Sequence, residues 1–384
     1  MTAAVAIAAC VVAMAYPDSL FQRATDRGAA PPGQPTEIRF PVISDEQAGN
    51  YPCSVAIGLL DADSIPDLAV ANYGSNSVSV LLGNGDGTFK PRREFPAAFL
   101  PYTVAIGDLN QDGRADLAVA SEGSGQVTEL LGDGDGGFTG RHDLEVGGGA
   151  YSVALGDLNG DGTLDLVASN LNQNQVTVLL GRGDGTFGPG AAYPTAHGPR
   201  SAAIADLDLD GSPDLAVACF NSNAVSILLG NGDGTFRRRK DQATGHSPYS
   251  VQWGWIDADT LPDLAVSCLA SNSVSVFLGT GNGAFRRRRE VRTAAQPYGL
   301  AVVDLNGDGR ADLATADLAT STVSIAAGTG DGEFLRGIQI ATGRFPQCIA
   351  VGDLNRDGAP DLVTANTASN TVRIFLNRGR ASRP

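Results

Sequence analysis

An Asp-Leu pair recurs at Asp67, Asp116, Asp165, Asp214, Asp263, Asp312 and Asp361, and every step is 49 residues. A fixed period of this size means one supersecondary unit, copied and stacked so that neighbours bury a continuous core. The 384 residues would by length alone allow two domains. The undrifting repeat argues instead for one assembly of seven like units. Aromatic residues make up 6% of the chain and glycines number 49. With helix-period stretches absent beyond the N-terminus, that composition suits short strands joined by glycine-rich turns.

One unit, the second, reads as four strands. Pro101–Gly107 is a first strand, the loop Asp108–Asp116 turns the chain, and Leu117–Ala120 is a second strand. After the polar turn Ser121–Gly125, Gln126–Leu131 alternates as a third strand. Gly132–Gly136 makes a tight turn in which glycine supplies positive φ, and Phe138 opens a fourth strand. Four antiparallel strands in one period predict a propeller blade, and the whole chain is read as an all-β, seven-bladed β-propeller.

The ends of the chain predict how the ring closes. The phenylalanine after the glycine-rich turn recurs from Phe89 to Phe334, but its seventh copy would fall at position 383, where the chain runs out. One period before Phe89 stands Phe40, within Glu37–Val42. That segment is expected to be the outer strand of the last blade, paired with Thr371–Leu376. Such closure leaves no unpaired sheet edge at either end.

Five loops follow the pattern D-x-[DN]-x-D-G-x-x-D. Side-chain oxygens come from the first, third, fifth and ninth positions. These are Asp108, Asn110, Asp112 and Asp116; Asp157, Asn159, Asp161 and Asp165; Asp206, Asp208, Asp210 and Asp214; Asp304, Asn306, Asp308 and Asp312; and Asp353, Asn355, Asp357 and Asp361. The seventh position, Arg114, Thr163, Ser212, Arg310 or Ala359, would add a backbone carbonyl. Oxygen ligands at this density suit a hard cation of Ca²⁺ size. The bidentate glutamate of an EF-hand is missing, Val119 standing in its place, and a strand follows rather than a helix. Loops one and five lose the first ligand to Leu59 and Trp255 and the glycine to Ser64 and Thr260, so they are expected to be weak or empty. The seven loops hold 22 of the 42 acidic residues, so the net charge of −15 reads largely as ligand supply. That charge also argues against nucleic acid as a partner.

DLNGDG-x-x-DL followed by V-x-V-L-L-G-x-G-D-G-T-F resembles the FG-GAP/VCBS-type repeat of integrin-α-like propellers, over residues 36–384. The resemblance implies a seven-bladed propeller with calcium between the first two strands of a blade. It implies little about function, since members include adhesion modules, lectins and domains attached to enzymes.

Residues 1–15 resemble a secretory leader, with Ala13-Met14-Ala15 as cleavage site, although a basic n-region is lacking. A lipoprotein box at Cys10 and a non-exported start are the alternatives. The apolar stretch Ala3–Ala15 is too short to span a bilayer. Residues 16–35 read as a flexible linker. Cys219 and Cys268 share a register and read as small buried residues, while Cys53 and Cys348 could either bridge the first and last units or stay thiols. His197 and His246 lack convergent partners and read as loop residues. The basic runs Lys90–Arg93, Arg237–Lys240 and Arg286–Arg289 read as guards of exposed edges, or as a lateral patch for anionic polymers. Tyr102, Tyr151, Tyr249 and Tyr298 share one inner-strand position with Cys53, Arg200 and Gln347. They read as packing between blades, or as aromatic faces for sugar at a channel mouth.

The expectation is a secreted, monomeric, calcium-binding propeller that binds a protein or glycan outside the cell without catalysis. A lectin and a polysaccharide hydrolase or lyase are the alternatives.

Overall fold

The computed structural model describes residues 40–377 together with the short strands Ala8–Ala9 and Val11–Val12. The expected leader cleavage site and linker lie outside the described residues. Seven sheets follow one another around a ring, each with a core of consecutive antiparallel strands, the last completed by a strand from near the N-terminus. Blade two is Pro101–Gly107, Asp116–Ser121, Gln126–Gly132 and Phe138–Glu145, close to the bounds expected from sequence. The inner strands of the other blades begin at Pro52, Ala150, Pro199, Pro248, Pro297 and Pro346. Ala8–Ala9 and Val11–Val12 pair with each other, and Val12 lies parallel to Ala56 of the first inner strand. Among the described residues no helix is long and apolar enough to cross a membrane.

Strand alternation sends each blade's side chains to both neighbours. In Asp67–Asn72, Leu68 and Val70 pack toward blade seven, against Val363 and Ile374. Ala69 and Ala71 pack toward blade two, against Val104 and Val119. Both faces of a middle strand are therefore core, which is why these strands read as near-continuous apolar runs. Adjacent inner strands approach so closely that a Cβ added at Gly58 would lie 2.7 Å from Ile106 Cδ1.

The ring closes through the N-terminal strand, with one correction. The strand is Val42–Gln47, which starts at the last residue of the expected segment, and it pairs antiparallel with Thr371–Phe375; residues 37–39 lie outside the described residues. Phe40 precedes it and is buried against Phe375. The same offset holds elsewhere. Phe89, Phe187, Phe236, Phe285 and Phe334 each make an isolated bridge to a glycine, and the outer strand starts several residues later. Only in blade two does the phenylalanine itself open a continuous outer strand. The bridge anchors the ring in the core, and the next residues cross the blade edge before pairing resumes.

Candidate metal loops, channel mouth and entry face

The acidic loops link each inner strand to the second strand, so all lie at one end of the ring. The ninth-position aspartate is fully buried in all seven blades. Both its oxygens are tied to the backbone. Leu109 N–H donates to Asp116 Oδ2 at 2.8 Å, and Gly132 N–H to Oδ1 at 2.7 Å. Leu354 and Asn377 repeat this at Asp361. This residue therefore splices the loop to the end of the third strand, a role sequence reasoning missed. Burial, only partly offset by the N–H donors, pushes Asp214, Asp312 and Asp361 up to about 7. Asp67, Asp165 and Asp263 are pushed up to about 6 for the same reason. A nearby cation would favour the charged form and oppose this rise.

The remaining ligand positions are half-buried or exposed and ordered by the loop's own amides. Asp108 accepts from Asp112 N–H at 3.1 Å and Gly113 N–H at 2.9 Å, and Asp112 Oδ1 accepts from Arg114 N–H at 2.9 Å. The loop glycines Gly113, Gly162, Gly211, Gly309 and Gly358 have φ between 81° and 87°. An added Cβ there meets nothing within 4 Å, so conformation alone demands glycine. In loop one Ser64 takes the same left-handed φ, 61°.

The donor chemistry fits a hard cation. Asp206, Asp208 and Asp210 offer oxygens that all lie within 4.8 Å of one another, and Asp208 Oδ1 is buried without a hydrogen-bond partner. Asp257, Asp259 and Asp263 make a similar cluster in loop five, although Trp255 replaces its first ligand. The other four complete loops have asparagine at the third position, and in three of them its Nδ2 donates to the fifth-position aspartate.

The basic runs are mostly paired rather than free. Lys90 Nζ lies 3.7 Å from both Asp61 and Asp63. Arg237 lies 3.6 Å from Asp208 and 3.1 Å from Asp210, and Arg286 repeats both distances to Asp257 and Asp259. Arg239 pairs with Asp241, Arg288 with Glu290 and Arg289 with Glu333. These acids cancel much of the lateral positive charge.

At the opposite end, the tyrosine position is a β-bulge. The ladder steps from Pro101↔Ser121 to Thr103↔Ala120, leaving Tyr102 as the extra residue, and the register shifts at the same place in every blade. A bulge re-aims its side chain. Here it sends seven side chains toward the ring axis. Tyr102, Tyr151 and Tyr249 are buried together, with Tyr298 packed against them. Tyr249 shares hydroxyl hydrogen bonds with Tyr102 and Tyr151, and Tyr102 donates to Gln347 Oε1 at 3.0 Å. The Arg200 guanidinium sits 4.2 Å from the Tyr151 ring centre, a cation–π stack. The position thus packs as a plug, and its faces are spent on one another rather than offered to sugar. Burial pushes these phenols well above their usual range. Cys53 belongs to the same cluster, and no disulfide joins it to Cys348; the four described cysteines are buried thiols.

The loops entering the blades form the surface around this plug. The residue before each inner strand is left-handed in every repeat: Tyr51, Leu100, Gly149, Gly198, Ser247, Gln296 and Phe345. Glycine, serine and glutamine serve in blades three to six. Large apolar residues serve in blades seven, one and two, which are consecutive around the closed ring. Tyr51 is 56% exposed, Phe345 46% and the adjoining Phe99 57%. His197 and His246 are exposed on the entry loops of blades four and five, with no carboxylate or nucleophile bonded to either ring among the described residues.

Comparison with solved structures returns propellers of varied role. An Agrocybe aegerita lectin that recognises non-reducing terminal N-acetylglucosamine is 18% identical with a TM-score of 0.54, and 86% of each chain is covered. BBS1N, solved with ARL6DN, is 12% identical with a TM-score of 0.64, covering 90% of this chain and 98% of that one. Virginiamycin B lyase from Staphylococcus aureus is 12% identical with a TM-score of 0.56, covering 88% and 99%. At such identities the likeness is one of fold. No curated protein matches the sequence. The FG-GAP-like repeat profile matches residues 60–119, 108–168, 165–217, 206–266 and 256–315. Each match runs from one blade's acidic loop to or toward the next. Together with the seven-bladed ring built on that loop, these matches make the chain a member of the FG-GAP-like repeat family.

Proposed function

We propose that this protein is a secreted, calcium-stabilised, non-catalytic module that binds a macromolecule on its entry face. The observation that carries the reading is the asymmetry of the left-handed position. A bulky side chain in that conformation costs about 1–2 kcal/mol relative to glycine. Blades three and four avoid the cost with glycine and blades five and six carry serine and glutamine there, whereas Phe345, Tyr51 and Leu100 put large apolar side chains on this strained position side by side. Strain kept at exposed aromatic positions is a mark of a functional surface. The acidic loops at the far end would take calcium on carboxylate and asparagine oxygens and stiffen the inner strands that carry this face.

A glycan is the second reading. Exposed aromatic rings suit the apolar face of a sugar, and a lectin of the same fold recognises N-acetylglucosamine. The test is binding by wild type and by a Tyr51→Gly/Phe345→Gly double variant, on a glycan array and against an extracellular protein panel. Loss of a wild-type signal in the folded variant supports the reading. An undiminished signal overturns this face as the site.

A further inference from the structure

Two features vary together around the ring. The third loop position is aspartate in blades one, four and five, as Asp61, Asp208 and Asp257, and asparagine in blades two, three, six and seven. The residue after the bridge phenylalanine is Lys90, Arg237 and Arg286 in those same three blades, and Thr139, Gly188 and Leu335 in blades two, three and six. The extra carboxylate and the extra cation occur together or not at all, and they meet. All three basic groups reach the third and fifth positions of their own loop, at 3.1–3.7 Å.

We propose that Lys90, Arg237 and Arg286 are resident counter-ions of their loops, and that Arg237 competes with calcium for the loop of blade four. The second part rests on the calcium reading above. In blades one and five the first ligand is Leu59 or Trp255, so the resident cation is the main source of positive charge. Blade four differs, because Asp206 completes its oxygen set. Arg237 does not saturate that set: Asp208 Oδ1 stays buried without a hydrogen-bond partner. The Arg237 side chain is 49% exposed, and ion pairs at such exposure are weak and displaceable. A divalent ion held by several oxygens would displace the guanidinium toward the lateral surface. Loop four is then the last of the five complete loops to fill.

Calcium titration of the whole chain, by calorimetry and by bound-metal analysis, tests this. Wild type should fill the loops of blades two, three, six and seven first and take one further ion in a weaker step. Arg237→Gln should move that ion into the tight step. Asp208→Asn with Arg237→Thr, which gives loop four the residue pattern of blade two, should do the same. Calcium uptake by wild type with an isotherm that Arg237→Gln leaves unchanged overturns the proposal alone. No uptake by any form overturns the calcium reading and, with it, the competition. Melting in chelator reads the counter-ion role separately. Arg237→Gln should melt lower than wild type there, and adding Asp208→Asn should restore it. Equal melting of all three forms overturns the resident pairing.

Discussion

Asp317 ends a second strand, at the opposite end of its blade from the acidic loop, and its side-chain partners are hydroxyls. Ser324 donates to its Oδ2 at 2.6 Å and Thr315 to its Oδ1 at 2.9 Å. Burial outweighs these donors and pushes the carboxyl up to about 6. A folded-state value above the unfolded one means that the folded chain binds the proton more tightly. The stability from that proton is full below about pH 4 and is lost as pH rises through about 6. The shift corresponds to about 2–3 kcal/mol. With calcium saturating, denaturant melts should show wild type losing stability between pH 5 and 7.5, and Asp317→Asn losing less. Parallel curves would remove Asp317 as the cause. Left-handed Phe345 makes the opposite kind of residue: Phe345→Gly relieves backbone cost and exposes no core, so its stability should stay within about 1 kcal/mol of wild type. A larger loss would mean that the ring packs rather than presents.

The loop is the element on which calcium would act. An ion bound only by the native state adds about 2.7 kcal/mol per site at hundredfold excess over Kd. Excess EDTA should therefore lower the melting temperature. Asp112→Ala should cut the calcium-dependent rise more than Asp63→Ala, since Asp63 serves a loop without a first ligand and already faces Lys90. Differential scanning calorimetry with and without calcium checks both, and equal effects of the two variants would count against the assignment. The bulged inner strand is the second telling element. Tyr249→Phe keeps the plug's volume and loses two hydroxyl contacts, whereas Tyr249→Ala opens a cavity costing about 3–5 kcal/mol. Chemical denaturation should rank them in that order.

At the scale of the molecule, stability hangs on closure. Val42–Gln47 covers the third strand of blade seven, Arg373 forks onto Asp45 at 2.6–2.7 Å, and Phe40 fills the gap above Phe375. Deleting residues 1–47 would expose that edge and its apolar neighbours, and such edges aggregate. Deleting residues 1–30 keeps the closing strand and removes the short pair Ala8–Ala9 and Val11–Val12, which pairs with the first inner strand only at Ala56, so melting and solubility should fall far less than in the longer deletion. Size-exclusion profiles and melting of the two truncations check this. Equal behaviour would argue that the strand is dispensable.

The repeat by itself determined the blade count, the four-strand unit, the position of every loop and the need for an N-terminal strand to close the ring. It could do so because a 49-residue period aligns residues of like role, and hydrophobic alternation with glycine turns is local information. Tertiary structure alone decided the rest. The outer strand begins at Val42, past Phe40 and Pro41, because that phenylalanine is held in the core and pairing starts only past the blade edge. The bulge has no residue signature, since Cys53, Tyr102, Arg200 and Gln347 all occupy it, so the meeting of four tyrosines in a plug was one of two open readings. The basic runs read as edge guards until the turn after each third strand folded Lys90, Arg237 and Arg286 back onto their own acidic loops. Such contacts join residues 27 apart or more in the chain, and only the closed geometry of a blade brings them within reach.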